Sequence, residues 1–285
     1  MKKLFFSACF LAAAFTMNAQ DLKLPSLSPT AKITQEFSTS NIELTYSRPG
    51  MRGRKIFGDV VAYGKPWRTG ANGATKIKFG EDVTIADVAV KAGEYVIYSI
   101  PGEKEWEIIL NKGKGQLGPD GYDRADDVAR FKVKSHEMER TVQNFTIEFT
   151  SFTFNSCKIE MTWDKTRLVI PVVAHNEERL TAAITKAITT PNIPYFQAAN
   201  YYFETNQNLE TADTYVDKAL EGNPQAFYMW YLKARIEVKL GHKQAAIAAA
   251  KKSIETAKGQ ALEAEYIHNN NKIIDEMSKE AKASN

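Results

Sequence analysis

The residues predict an α+β multidomain chain. An antiparallel β-sandwich or flattened barrel spans residues 31–173, and an α-helical repeat array follows over 175–285. Three observations carry this. Apolar and polar residues alternate at a period of two through the first part, the mark of half-buried strands. The alternation stops near His175, where Ala, Lys, Glu and Leu dominate. Two later stretches, 193–226 and 227–258, align at a spacing of 34 residues.

Residues 1–19 read as a signal peptide. Lys2 and Lys3 precede an apolar run over 4–15, and Met17 and Ala19 stand at the −3 and −1 positions of a cleavage site before Gln20. The run is too short for a permanent anchor across ~30 Å of hydrocarbon. The chain is therefore expected to be exported, periplasmic or secreted, with a linker over 20–30 and no transmembrane segment in the mature form. Loss of Lys2 and Lys3 leaves 35 basic against 34 acidic residues. Loss of Cys9 leaves Cys157 alone, so no internal disulfide is expected. Cys157 alternates with Ile159, Met161 and Trp163 and reads as a core residue.

The alternation is plain in Ile42-x-Leu44-x-Tyr46, Trp106-x-Ile108-x-Leu110, Phe145-x-Ile147-x-Phe149 and Ile159-x-Met161-x-Trp163. Further strands are expected near 31–37, 73–79, 83–90, 93–100, 128–135 and 166–173. Turn signals separate them, among them Asn72-Gly73, Ala92-Gly93, Pro101-Gly102 and Pro119-Asp120-Gly121. Many short strands without intervening helices indicate a sandwich or flattened barrel.

In the second part, a helix is expected from Asn176 to Pro191. In the 34-residue frame Phe196 matches Trp230, Asn200 matches Ala234 and Ala212 matches Ala246, with Pro224 closing the first unit. This resembles the tetratricopeptide repeat, although Glu237 occupies a usual aromatic slot. A capping helix is expected over 261–282, with Leu262, Tyr266, Ile273 and Met277 on one side. The first unit carries five acids against Lys218, the second seven bases against Glu237 and Glu255. That asymmetry reads first as attraction between neighbouring units. In this frame Tyr201, Tyr228, Tyr231, Arg235 and Lys239 line the concave face. Their types suit a protein-partner surface, which the same face would lose by docking on the β part.

The whole chain has 285 residues, 44% hydrophobic and 25% charged, with net charge +3. This excludes a disordered chain and a dedicated nucleic-acid binder. The motifs HExxH, CxxC, GxSxG and the P-loop are absent. The four histidines, 136, 175, 242 and 268, lack metal-ligand spacing, so neither metal nor cofactor is expected. The densest chemistry lies at 46–75. There Arg48, Arg54, Trp67, Arg68 and Asn72 combine anion-matching guanidinium forks with a flat ring, a binding set for a small polar or anionic ligand. The competing structural reading has these arginines bonded to loop carbonyls. The functional class expected is a non-catalytic binding or scaffold module. The alternative is an extracytoplasmic hydrolase using Arg48, Arg68 and Asn72, which would need a general base beside them.

Tyr46-Ser47-Arg48-Pro49, Gly53-Arg54-Lys55-Ile56-Phe57-Gly58, Tyr63-Gly64-Lys65-Pro66-Trp67-Arg68-Thr69-Gly70-Ala71-Asn72, Ala92-Gly93-Glu94-Tyr95 and Ile100-Pro101 together resemble the secreted bacterial family known as domain of unknown function 2911. The similarity covers about 30–173. It implies a β-rich extracytoplasmic domain and no activity, so it transfers no catalytic residue.

Overall fold

The computed structural model describes residues 24–113, 121–189 and 194–283. The signal expected over 1–19, Cys9, the first part of the linker and the Pro119-Asp120 pair of one expected turn lie outside them.

Among the described residues nine strands form one antiparallel sheet: β1 (Thr30–Phe37), β2 (Ser40–Ser47), β3 (Thr75–Phe79), β4 (Val83–Ile85), β5 (Val88–Val90), β6 (Gly93–Ile100), β7 (Glu105–Asn111), β8 (Asp127–Thr150) and β9 (Ser156–Ala174). Their order is β1-β2-β3-β6-β7-β8-β9-β4-β5, and the sheet is not closed. It folds over on itself through β8. Asp127–Lys134 pair with β7, and from Ser135 onward the strand pairs with β9. Both sides contribute to one core. Trp67 stacks on Trp163 of β9 at 5.9 Å and 19°, and meets Trp106 and Phe145 edge-on at 6.0 and 5.2 Å. The Tyr46 hydroxyl of β2 donates to the carbonyl of Ile147 on β8 and accepts from the Ile147 N–H.

Strand boundaries differ from the sequence expectation in three places. The stretch 83–90 is a hairpin, β4–β5, turned at Ala86 (φ 45) and Asp87 (φ 67), both left-handed as a two-residue primed turn requires. The expected strands 128–135 and 145–149 belong to the single strand β8, and 159–163 and 166–173 to β9. The break seen in sequence at Asp164 is a left-handed residue (φ 53) opposite Val142, where the register shifts. Such an irregularity bends a long strand without ending it, which lets β8 and β9 pass from one side of the folded sheet to the other.

Six helices follow among the described residues: α1 (Glu177–Ala187), α2 (Tyr195–Glu204), α3 (Leu209–Gly222), α4 (Phe227–Leu240), α5 (Lys243–Ala257) and α6 (Glu263–Ala283). α2 packs on α3, α4 on α5, and α6 on α5 and α4. The pairs approach closely because Ala199, Ala212, Ala234, Ala246 and Ala250 are fully buried at the contacts. α4 stops at Gly241 (φ 79), whose left-handed backbone lets its N–H close the helix on carbonyls of the last turn. Leu262 precedes α6 and is exposed, whereas Ile273 and Met277 are buried as expected.

Glu237, the misfit of the repeat pattern, is buried at 4% exposure. It has two partners: Lys233 Nζ is 3.5 Å away and His242 Nδ1 2.8 Å. Lys233 also reaches Asp213 and Asp217 on α3 at 3.0 and 2.7 Å. Arg235 pairs with Glu204 at 3.3 Å. The opposite charges of the two units thus join them through Lys233 and Arg235, while the buried Glu237 carboxylate finds its partners within its own unit, as burial requires.

Strands and helices meet at a built junction. Asn176, 1% exposed, donates through Nδ2 to Ser38 Oγ in the β1–β2 turn. Arg179 of α1 bonds Glu81 Oε2 at 3.0 Å and Thr39 Oγ1. The N–H of His175 donates to the Asp82 carbonyl at 3.2 Å.

Candidate functional site

The loop residues 46–75 run from the end of β2 to β3 over one end of the folded sheet. Arg48 sends Nε to the Phe145 carbonyl at 3.3 Å and Nη2 to Thr146 Oγ1 at 2.8 Å. Arg54 donates to the carbonyls of Met51 and Gly50, both at 2.9 Å. Trp67 is 9% exposed, and its Nε1–H donates to the Gly70 carbonyl at 3.0 Å. Gly70 itself is required there, because its φ is 156° and a Cβ would stand 3.1 Å from the Ser47 carbonyl. Asn72 donates to the Ser28 carbonyl at 3.2 Å. Four of the five sequence candidates are therefore bonded to backbone carbonyls. The Trp67 ring lies in the core and offers no face to a sugar or cation.

Arg68 is the exception. The Trp67–Ser99 bridge sets it opposite Tyr98 of β6, on the sheet face away from the tryptophans. Arg68 Nε and the Tyr98 hydroxyl are both buried, with no hydrogen-bond partner among the described residues. Tyr98 is 0% exposed and packs with Ala74, Val96 and Ile109, its ring 5.1 Å from that of Tyr122. Burial raises its phenol pKa. Beyond this pair the face is polar and paired. Arg130 forks onto both oxygens of Glu107 at 3.1 and 2.5 Å and also bonds Asp127 at 2.7 Å. Asp123 caps the Ala125 N–H and Asp127 accepts from Tyr122 and Asn111, so these acids brace a turn. Among the described residues no carboxylate or histidine bonds Arg68 or Asn72. Nor does any group of three or more His, Cys, Asp or Glu there have metal-holding geometry. Cys157 is 2% exposed, and burial pushes its thiol up to about 11.

The helical candidates separate into two places. Tyr201 is 3% exposed and leaves the concave face for the β part, its ring 5.4 Å from Phe154 in the β8–β9 turn. The other four stay on the face shared by α2, α4 and α6. Tyr228 is 37% exposed and meets Phe196 and Phe227 edge-on at 5.1 and 5.6 Å. Tyr231 packs on Tyr266 at 5.4 Å. The Arg235 guanidinium lies 4.3 Å over the Phe203 ring and 5.6 Å from that of Tyr231. Lys239 Nζ is 4.1 Å from the Phe203 ring centre and donates to the Phe203 carbonyl at 2.9 Å. Aromatic faces attract such cations.

The junction holds an open cavity that no sequence expectation covered. A cavity of about 710 Å³ opens between the β1–β2 and β8–β9 turns and helices α1 and α2. Phe37, Phe152, Phe154, Leu180, Ile184 and Tyr201 supply its apolar wall. The available signal was Phe152-x-Phe154, two aromatics beside a strand turn without a buried-strand context.

A search of the curated proteins finds no match to the chain. Residues 28–172 match the model of the family described as "Protein of unknown function (DUF2911)". That span holds the folded sheet, the Trp67 cluster and the Arg68–Tyr98 pair, and with it the chain belongs to this family.

Proposed function

We propose that the protein is an exported, non-catalytic binding module that docks an acidic, extended segment of a partner protein on the face shared by α2, α4 and α6. The observation that carries this is Arg235. Its side chain is 37% exposed and its guanidinium is held between the rings of Phe203 and Tyr231. The cation is pre-placed by these rings and by Glu204 at 3.3 Å, a half-exposed pair that a partner carboxylate can share, so it loses little side-chain entropy on binding and matches a carboxylate with an apolar neighbour. The 34-residue helical repeat supports a tetratricopeptide-like frame, in which the first helix of each unit lines the binding face. Export rests on the tripartite segment before Gln20.

The test is selection of peptides from a random display library on the purified chain. The reading requires enrichment of peptides that combine Asp or Glu with an apolar residue, and loss of their binding in Tyr228→Ala and Arg235→Ala. Enrichment without acidic bias, or binding unchanged in both variants, refutes it.

A further inference from the structure

The junction cavity has the character of a ligand site independent of the helical face. Its volume of about 710 Å³ falls within the ~300–1,000 Å³ of small-molecule pockets. Both walls are held in place: Asn176–Ser38 and Arg179–Glu81 fasten α1 to the strands, and Phe154–Tyr201 fastens α2. A gap kept open by such bonds is preformed rather than collapsed. Two of its aromatic residues remain wet. Phe152 is 48% exposed and Phe154 38%, side chains that a ligand would cover.

We propose that this cavity binds a small uncharged amphiphile, with its hydrocarbon portion against Phe152, Phe154, Leu180 and Ile184. The wall chemistry selects that class. Gln35 and Gln197 bring side-chain amides to the lining, whereas the Ser38 and Thr39 hydroxyls are engaged by Asn176 and Arg179. Glu36 is the one ionisable side chain among the described lining residues other than the Tyr201 phenol, so the wall brings no cation to an anionic head group and disfavours one by like charge. Arg179 does not supply that cation, because Glu81 and Thr39 already hold it. An apolar cavity with few polar partners is poorly hydrated, so displacing its water favours an apolar occupant.

The test is titration of the full chain with the uncharged fluorophore N-phenyl-1-naphthylamine, read as emission rise and blue shift. Ala183 is exposed on α1 and lines the cavity, whereas its neighbour Ala182 is exposed and does not line it. Ala183→Trp and Phe152→Glu should each weaken probe binding by about tenfold or more, while Ala182→Trp leaves it unchanged. The anionic 8-anilinonaphthalene-1-sulfonate should bind more weakly than the uncharged probe. No probe binding, or equal binding in wild type, Ala183→Trp and Phe152→Glu, overturns the site. Tighter binding of the anionic probe overturns the ligand class. Should Ala183→Trp fail to fold, Phe152→Glu decides, since that side chain is half exposed and its loss leaves the core intact.

Discussion

The Phe154 ring meets the Tyr201 ring at 5.4 Å with planes inclined by 65°, the aromatic contact that joins the last strand turn to the second helix. The two residues do not share one role. Tyr201 is 3% exposed and anchors the first helical pair, whereas Phe154 is 38% exposed. Replacing Tyr201 with Ala should cost ~3–5 kcal/mol, the range for a buried aromatic. Phe154→Ala should cost much less and act locally. Amide hydrogen exchange should then rise in α1 and α2 and stay unchanged in β6 and β7. Equal protection losses in both regions would contradict a localised junction contact.

Trp67 is central to the β core, touching Phe57, Trp106, Phe145 and Trp163. Trp67→Ala should remove ~3–5 kcal/mol of stability, a large share of the ~5–15 kcal/mol of a typical domain. Urea unfolding measures it. A change below 1 kcal/mol would mean that the ring is not packed as described.

Tyr98→Phe should stabilise the protein by about 1 kcal/mol. The hydroxyl is buried without a partner, and an unsatisfied buried polar group costs free energy that deleting it recovers. Denaturant unfolding at neutral pH would show a higher midpoint with an unchanged slope. A lower midpoint would mean that the hydroxyl is bonded in solution.

Glu160 provides a pH signature. Arg167 forks onto both its oxygens at 2.6 and 2.7 Å and Thr150 donates at 2.7 Å. These bonds, the Arg167 pair first, lower its pKa below the usual carboxylate range against the opposing effect of burial. The folded pKa lies below the unfolded value of about 4.3. The stabilisation is therefore complete above that value and is lost as pH falls through the folded pKa. The stability difference between wild type and Glu160→Gln should be constant above about pH 5 and shrink below pH 4. A difference that grows on acidification would reverse the sign and exclude the pair as its cause.

Period-two alternation made the sheet legible, because each strand buries one face: Ile42, Leu44 and Tyr46 are all buried while the intervening Glu43 and Thr45 are not. What alternation cannot show is continuity across a bulge, so β9 read as two strands around Asp164. The loop arginines were visible as unusual chemistry, but their partners are backbone carbonyls of Gly50, Met51 and Phe145, and carbonyls carry no sequence signal. The junction cavity was hidden for a related reason. Its walls come from segments more than a hundred residues apart, joined by Ser38, Asn176, Thr39 and Arg179. Polar residues at turns and helix starts ordinarily read as local caps.

Arg235 is the proposed contact for an acidic partner segment, and charge reversal tests that contact most directly. An acidic peptide selected on the wild-type chain is titrated against Arg235→Glu by calorimetry, with thermal unfolding of both proteins in parallel. Binding at least about tenfold weaker is predicted, with the chain still folded and its melting temperature lowered by several degrees, because the new carboxylate faces Glu204 with like charge and the contacts of the guanidinium with the Phe203 and Tyr231 rings are lost. Undiminished affinity for the acidic peptide in Arg235→Glu would contradict it.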